Sequence, residues 1–152
     1  MKNIILLSLL LSLLSCQDGP KAAFNENFED RGYSGLPFEK IIGFYKLDND
    51  SKKRYKIPKE IDLTLEIQPD KKLIANNYVD AKTWLISNKK LESTLFYAND
   101  DKRIYMSCYK LNKGGGIELY YRKKDSVITL YVYTPPLKGQ EHGDYLRYIK
   151  VK

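Results

Sequence analysis

A chain of 152 residues has room for one domain and little else, and its 43% hydrophobic and 30% charged residues exclude both a disordered polymer and an integral helical membrane protein. The formal net charge of +7 invites anionic partners. The cations nevertheless fall in pairs, Lys52-Lys53, Lys71-Lys72, Lys89-Lys90 and Lys123-Lys124, at points that read as solvated turns, and no motif for nucleic acid is present.

At the N-terminus Lys2 precedes an eleven-residue apolar run, Ile4–Leu14. The run is shorter than the ~20 residues a helix needs to span a bilayer. It is apolar on every side and lacks an N-cap, so it is not an amphipathic core helix. Residues 1–15 read as a cleaved export signal. The run ends in Leu13-Leu14-Ser15-Cys16, which resembles the lipobox of bacterial lipoproteins. That resemblance implies cleavage before Cys16, lipid on the Cys16 thiol and acylation of the new amino group, giving the chain a membrane partner through its N-terminal lipid. Several palmitate-class chains anchor stably where one is marginal, because each buried methylene contributes ~0.8 kcal/mol. Gln17 stands where an acidic residue favours inner-membrane retention, so the same resemblance points to the outer membrane of a bacterial envelope. Cleavage removes Lys2 alone, leaving 25 basic against 19 acidic side chains, a net +6.

Residues 16–35 are dominated by Asn, Glu, Asp, Gly and Lys and read as a flexible tether. The domain proper is expected over 36–152, long enough to bury one core. With Cys16 lipidated, Cys108 has no disulfide partner. It shares an alternating face with Ile104 and Met106 and reads as a small buried hydrophobe.

Within the domain, period two prevails. Strands are predicted at Ile41–Leu47, Ile61–Ile67, Leu73–Val79, Thr83–Ser87, Leu91–Tyr97, Arg103–Leu111, Ile117–Arg122, Val127–Thr134 and Tyr145–Val151. In the second of these Ile61, Leu63, Leu65 and Ile67 face one way and Asp62, Thr64 and Glu66 the other. Short polar turns separate the strands, and only Leu36–Ile42, after Pro37, suggests a helical turn. The fold class is therefore all-β: an antiparallel up-and-down meander of about eight to nine strands. Closure into a barrel would hide its edges, and uniformly short turns favour this over a two-sheet sandwich.

Gly43-Phe44-Tyr45 opens the first strand, and Arg147 lies in the last, Asp144-Tyr-Leu-Arg-Tyr-Ile-Lys150. This pairing resembles the bacterial lipocalin-like proteins, whose barrels begin Gly-x-Trp and carry a late Arg packed across that ring. The resemblance implies an eight-stranded barrel with an apolar pocket, with Arg147 stacked on Tyr45 at ~0.5–1 kcal/mol.

Chemistry-bearing groups are few. His142 is the single histidine, in a polar loop, and with one free cysteine it can build neither a nucleophilic triad nor a zinc site. Asp48-Asn-Asp50 opens like a calcium loop, but Lys52 and Lys53 follow where acceptors belong, so it reads as a strand-end turn. Lys113-Gly-Gly-Gly116 leads into a strand and reads as a hairpin turn. Glu66, Glu92 and Glu118 alternate opposite the apolar face. No enzyme, metal or cofactor is expected. The 13 tyrosines are the unusual feature, nine of them between Tyr97 and Tyr148. With the aliphatic face inward, Tyr45, Trp84, Met106, Tyr121 and Tyr148 are the candidate lining of a pocket for a small apolar or aromatic ligand. Tyr105, Tyr109, Tyr120, Tyr131 and Tyr133 then lie outside near Arg103 and Arg122. Such a face suits an envelope protein or glycan partner, and the chain is then a surface-interaction module, an envelope inhibitor or assembly subunit. Val127–Tyr133 is apolar on both faces, so its outer side should be covered by the tether, a terminal element or a partner.

Overall fold

Alternation translates into strands over about half of the residues that the computed structural model describes: 19–24, 36–80, 83–100, 103–112, 116–122, 126–136, 139 and 141–151. The segment read as an export signal and Cys16 lie outside them. Among the described residues eleven strands form: β1 (Gly43–Leu47), β2 (Thr64–Ile67), β3 (Lys72–Asn76), β4 (Tyr78–Val79), β5 (Ile86–Ser87), β6 (Leu91–Thr94), β7 (Phe96–Asp100), β8 (Arg103–Ser107), β9 (Gly116–Arg122), β10 (Val127–Thr134) and β11 (Asp144–Lys150). Four short helices accompany them among the described residues: α1 (Pro20–Phe24), α2 (Phe38–Ile41), α3 (Asn49–Arg54) and α4 (Tyr109–Asn112). Among the described residues no helix is long and apolar enough to cross a membrane.

Nine strands make one antiparallel sheet in the order β6-β3-β2-β1-β11-β10-β9-β8-β7, and β4 pairs with β5 in a separate ribbon. Neighbours in the sheet follow one another along the chain, with two exceptions. The β4–β5 ribbon is inserted between β3 and β6, and β1 pairs with the last strand, Tyr45 opposite Lys150. The two ends of the order, β6 and β7, are separated in the chain by Leu95 alone. Leu95 is buried, and its N–H donates to the Lys71 carbonyl at 2.7 Å, beside the β2–β3 turn.

One face of the sheet carries the core. Across the register Ala75 meets Leu65, Leu65 meets Tyr45, Leu47 meets Tyr148, Tyr148 meets Leu130 and Leu130 meets Leu119. Met106, Ile117, Val132 and Leu146 make a second such row. All belong to a single buried cluster, which packing and apolar burial stabilise together. Leu63, Leu65 and Ile67 are buried and Asp62 is exposed, as alternation predicts, although Thr64 on the other face is also covered.

Several elements depart from the sequence reading for identifiable reasons. The expected Leu73–Val79 strand breaks at Asn77, whose φ of 47° is left-handed. The expected Arg103–Leu111 strand ends at Ser107 and turns into α4, which still buries Cys108 and Leu111. The ribbon realises only Ile86–Ser87 of Thr83–Ser87. Asp48-Asn-Asp50 is not a strand-end turn. Asp48 is the N-cap of α3, its carboxylate accepting from the Ser51 N–H at 2.8 Å. Asp50 lies in the first turn of that helix and Lys52, Lys53 and Arg54 in the last, complementing its dipole. Lys52 is accordingly no solvated turn lysine: it is 5% exposed, and its ammonium donates to the Lys59 carbonyl at 2.9 Å. Within the stretch read as tether, residues 20–24 are helical and pack on β11.

Candidate functional site

The residues singled out from sequence divide between core and surface. Tyr45, Met106 and Tyr148 are at most 1% exposed and sit inside the packed cluster. The Tyr45 hydroxyl donates to the Ile41 carbonyl at 2.6 Å, and burial pushes both tyrosine hydroxyls well above their ordinary pKa. Trp84 lies at the edge of the cluster, its ring stacked on Tyr55 at 6.2 Å and 6°. Trp84 has a left-handed φ of 61°, fixed in place by the Trp84 N–H donating to the Asp80 carbonyl. Tyr121 is on β9, and its side chain lies outside what is described.

The expected stacking of Arg147 on Tyr45 is corrected. Tyr45 faces the core opposite Lys150, so β11 turns Tyr148 and Leu146 inward and Arg147 outward. Gly43 does open β1, with a φ of 144° that favours glycine. The ring beneath Arg147 is that of Phe24, 4.4 Å from the guanidinium.

Around Arg147 the outer face is built in layers. Its backbone N–H donates to the buried Ser51 hydroxyl at 2.9 Å, and its carbonyl accepts from Asp48 N–H at 3.0 Å. Its guanidinium donates through Nε and Nη2 to Asp48, and through Nη2 to Asp50 at 2.7 Å. The Asp48 pair is buried, at 6% and 7% side-chain exposure, whereas Asp50 is 71% exposed. Two carboxylates and one buried cation therefore tie α3 to the middle of β11.

Phe24 fills the space above. Arg54 lies over the same ring at 5.4 Å, donates to the Ala23 carbonyl at 3.0 Å and pairs with Asp144. Tyr131, fully buried on the outer side of β10 and opposite Arg147 in register, meets Phe24 at 5.6 Å. Tyr145 makes edge contacts with Tyr131 and Tyr133 at 6.5 and 5.6 Å. The outer cover that the two-faced apolarity of β10 demands is thus supplied in part by α1. Of the tyrosines expected outside, Tyr131 and Tyr133 take part. The side chains of Tyr105, Tyr109 and Tyr120, like those of Arg103 and Arg122, lie outside what is described.

No family model, curated protein or solved structure matches this chain.

Grooves open on the outer surface among the described residues, and two of them bear on binding. The larger, about 1100 Å³, lies along β1 and β2 and is lined by Ile42, Gly43, Phe44, Ile67, Pro69 and Val151, with Lys46, Glu66, Gln68 and Asp70 as polar members. Lys46 pairs with Asp62 at 2.8 Å and holds that carboxyl below the usual carboxylate range. The smaller groove, about 390 Å³, runs past the exposed Phe96 between Lys72 and Lys110. His142 is exposed at 92% beside Glu141, and Cys108 is buried and free. Among the described residues no three His, Cys, Asp or Glu side chains gather where they could hold a metal ion.

Sequence reasoning passed over Phe24 and Arg54 and read Asp48 and Asp50 as a turn. A signal for three of them was present: an N-cap Asp, an acid in the first turn and bases in the last mark a helix without any apolar period. Phe24 carried no comparable signal.

Proposed function

We propose that this chain is a lipid-anchored lipoprotein of the bacterial cell envelope, held at the outer membrane through Cys16, with a lipocalin-like β domain that serves as a non-enzymatic binding module for a small apolar or aromatic ligand. The export run and lipobox-like end support the address. Barrel closure is supported by the chain continuity of β6 and β7: counted as one strand bent at Leu95, they give eight strands around a circuit that β1 and β11 complete. The observation that carries the binding reading is the β1–β2 groove. Phe44, Ile42, Ile67 and Val151 supply apolar surface beside Lys46, and the volume of about 1100 Å³ lies just above the ~300–1,000 Å³ of small-molecule sites, room enough for such a ligand. Tyr45, Met106 and Tyr148 are buried in the packed cluster, and the ligand is assigned to the groove.

The test is a thermal scan of a soluble chain truncated after Cys16, with long-chain fatty acids and hydrophobic dyes. A ligand at a hundred times its Kd stabilises by about 2.7 kcal/mol, a readily measured rise in Tm. Phe44→Asp should abolish the rise. Absence of any shift, or a shift that survives Phe44→Asp, defeats this reading.

A second reading, a surface-interaction module, is favoured by the outer face itself: Tyr131, Arg147 and Arg54 already hold an aromatic side chain. Co-purification from native membranes, comparing the parent with Phe24→Ala, separates the two. A partner that engages this face is recovered in altered yield from the variant.

A further inference from the structure

We infer that the docking of α1 seats the β10–β11 wall of the domain side-on against the headgroup region of the bilayer that carries its anchor. The inference rests on the acylation of Cys16 proposed above. If all of residues 16–35 were free, twenty residues would give a mean span of ~25 Å, letting the domain tumble well clear of the surface. The helix removes most of that length. Phe24 is gripped between Arg54 and Arg147, and Arg54 also holds the Ala23 carbonyl. Four peptide units separate Cys16 from Pro20, and four units reach no more than ~14 Å. The five-residue helix adds ~6 Å from Pro20 to Phe24. The acylated residue is therefore confined to within ~20 Å of the point where Phe24 meets the sheet.

That point decides which part of the domain faces the lipid. Tyr131 and Arg147 are opposite one another in the register and lie near the middle of β10 and β11. The anchor is thus tied to the β10–β11 part of the sheet. The exposed Lys53 of α3, next to Arg54, adds a cation suited to anionic headgroups at this wall. Glu92, on the outer side of β6, lies four strands from β11 in the sheet order.

The experiment uses full-length protein purified from membranes and reconstituted in vesicles of phosphatidylethanolamine and phosphatidylglycerol that contain a headgroup-level quencher lipid. Fluorophores are placed at Lys53→Cys or Glu92→Cys, Cys108 being buried and unlabelled under native conditions. Seating predicts at least threefold stronger quenching at position 53 than at 92, and loss of most of that difference in Phe24→Ala and Arg54→Gln. Equal quenching in the parent, stronger quenching at 92, or a difference untouched by both variants overturns the inference. The parent comparison stands even if a variant fails to fold. Mass analysis of the N-terminal peptide keeps the two claims apart: an unmodified Cys16 removes the anchoring reading and the seating with it. An acylated Cys16 with equal quenching removes the seating alone.

Discussion

Replacing Arg147 by Met keeps the length and apolar stem of the side chain while deleting its charge, and the surroundings set how much that should cost. The contact with Asp50 matters little, because that carboxylate is 71% exposed and water replaces the lost partner, at ~0–1 kcal/mol. The contact with Asp48 matters most. Both side chains are under 10% exposed, and stranding one member of a buried pair costs ~3–5 kcal/mol. Asp48 keeps one favourable contact, the Ser51 N–H at the start of α3, which places the expected loss near the lower end. Losing the cation above Phe24 adds ~0.5–2 kcal/mol. A total near ~4 kcal/mol is a large part of the ~5–15 kcal/mol that holds a domain of this size. Urea denaturation of the soluble chain reads it directly: with a slope of ~2 kcal/mol/M the midpoint falls by ~2 M. The double variant Arg147→Met with Asp48→Asn should recover at least half of the loss, since Asn still caps the helix and no buried charge remains. A single variant that loses under ~1 kcal/mol would refute the reasoning, as would a double variant no better than the single.

Three further outcomes are expected. Tyr45→Phe leaves the buried Ile41 carbonyl without its 2.6 Å donor and should cost ~1–2 kcal/mol in urea denaturation, with no change of slope. Thr129→Val should stabilise by ~0.5–2 kcal/mol, because the Thr129 hydroxyl is fully buried and, among the described residues, has no hydrogen-bond partner; a loss of stability would show that it has one. Burial, opposed by its hydrogen bond to Thr134, raises Tyr55 from 10 to about 12. The folded state therefore holds that proton more tightly than the unfolded one, so the contribution is complete below pH 10 and is lost as pH rises from 10 to about 12. Urea midpoints across that window should fall, and fall less steeply in Tyr55→Phe.

Strand positions were legible because alternation is a local signal. Leu63, Leu65 and Ile67 announce their face whatever the rest of the chain does, and Val127–Thr134 showed that both its faces are covered. The helix α3 was hidden because its evidence lies in caps and charge order, while its single inward lysine, Lys52, looks like any surface lysine. The position of Arg147 was half legible. Adjacent strand residues cannot share a face, so an inward Tyr148 already forbids Arg147 from lying over an inward Tyr45. What no local pattern carries is that Phe24, more than a hundred residues earlier, supplies the ring. The same holds for the packing of Tyr45, Met106 and Tyr148, since side chains that alternate inward line a cavity or fill it depending on strand register and curvature.

The pairing of β1 with β11 also sets when this domain can be finished. Hairpins such as β2–β3, β7–β8 and β9–β10 close short loops and can form as soon as their residues are available. The second edge of β1, by contrast, is satisfied only by residues 148–150 and by the Val151 N–H, which donates to the Phe44 carbonyl at 2.8 Å. Until the last strand has been made, the first presents an open row of donors and acceptors. A chain emerging N-terminus first therefore remains an incomplete sheet until residues 148–151 have been made.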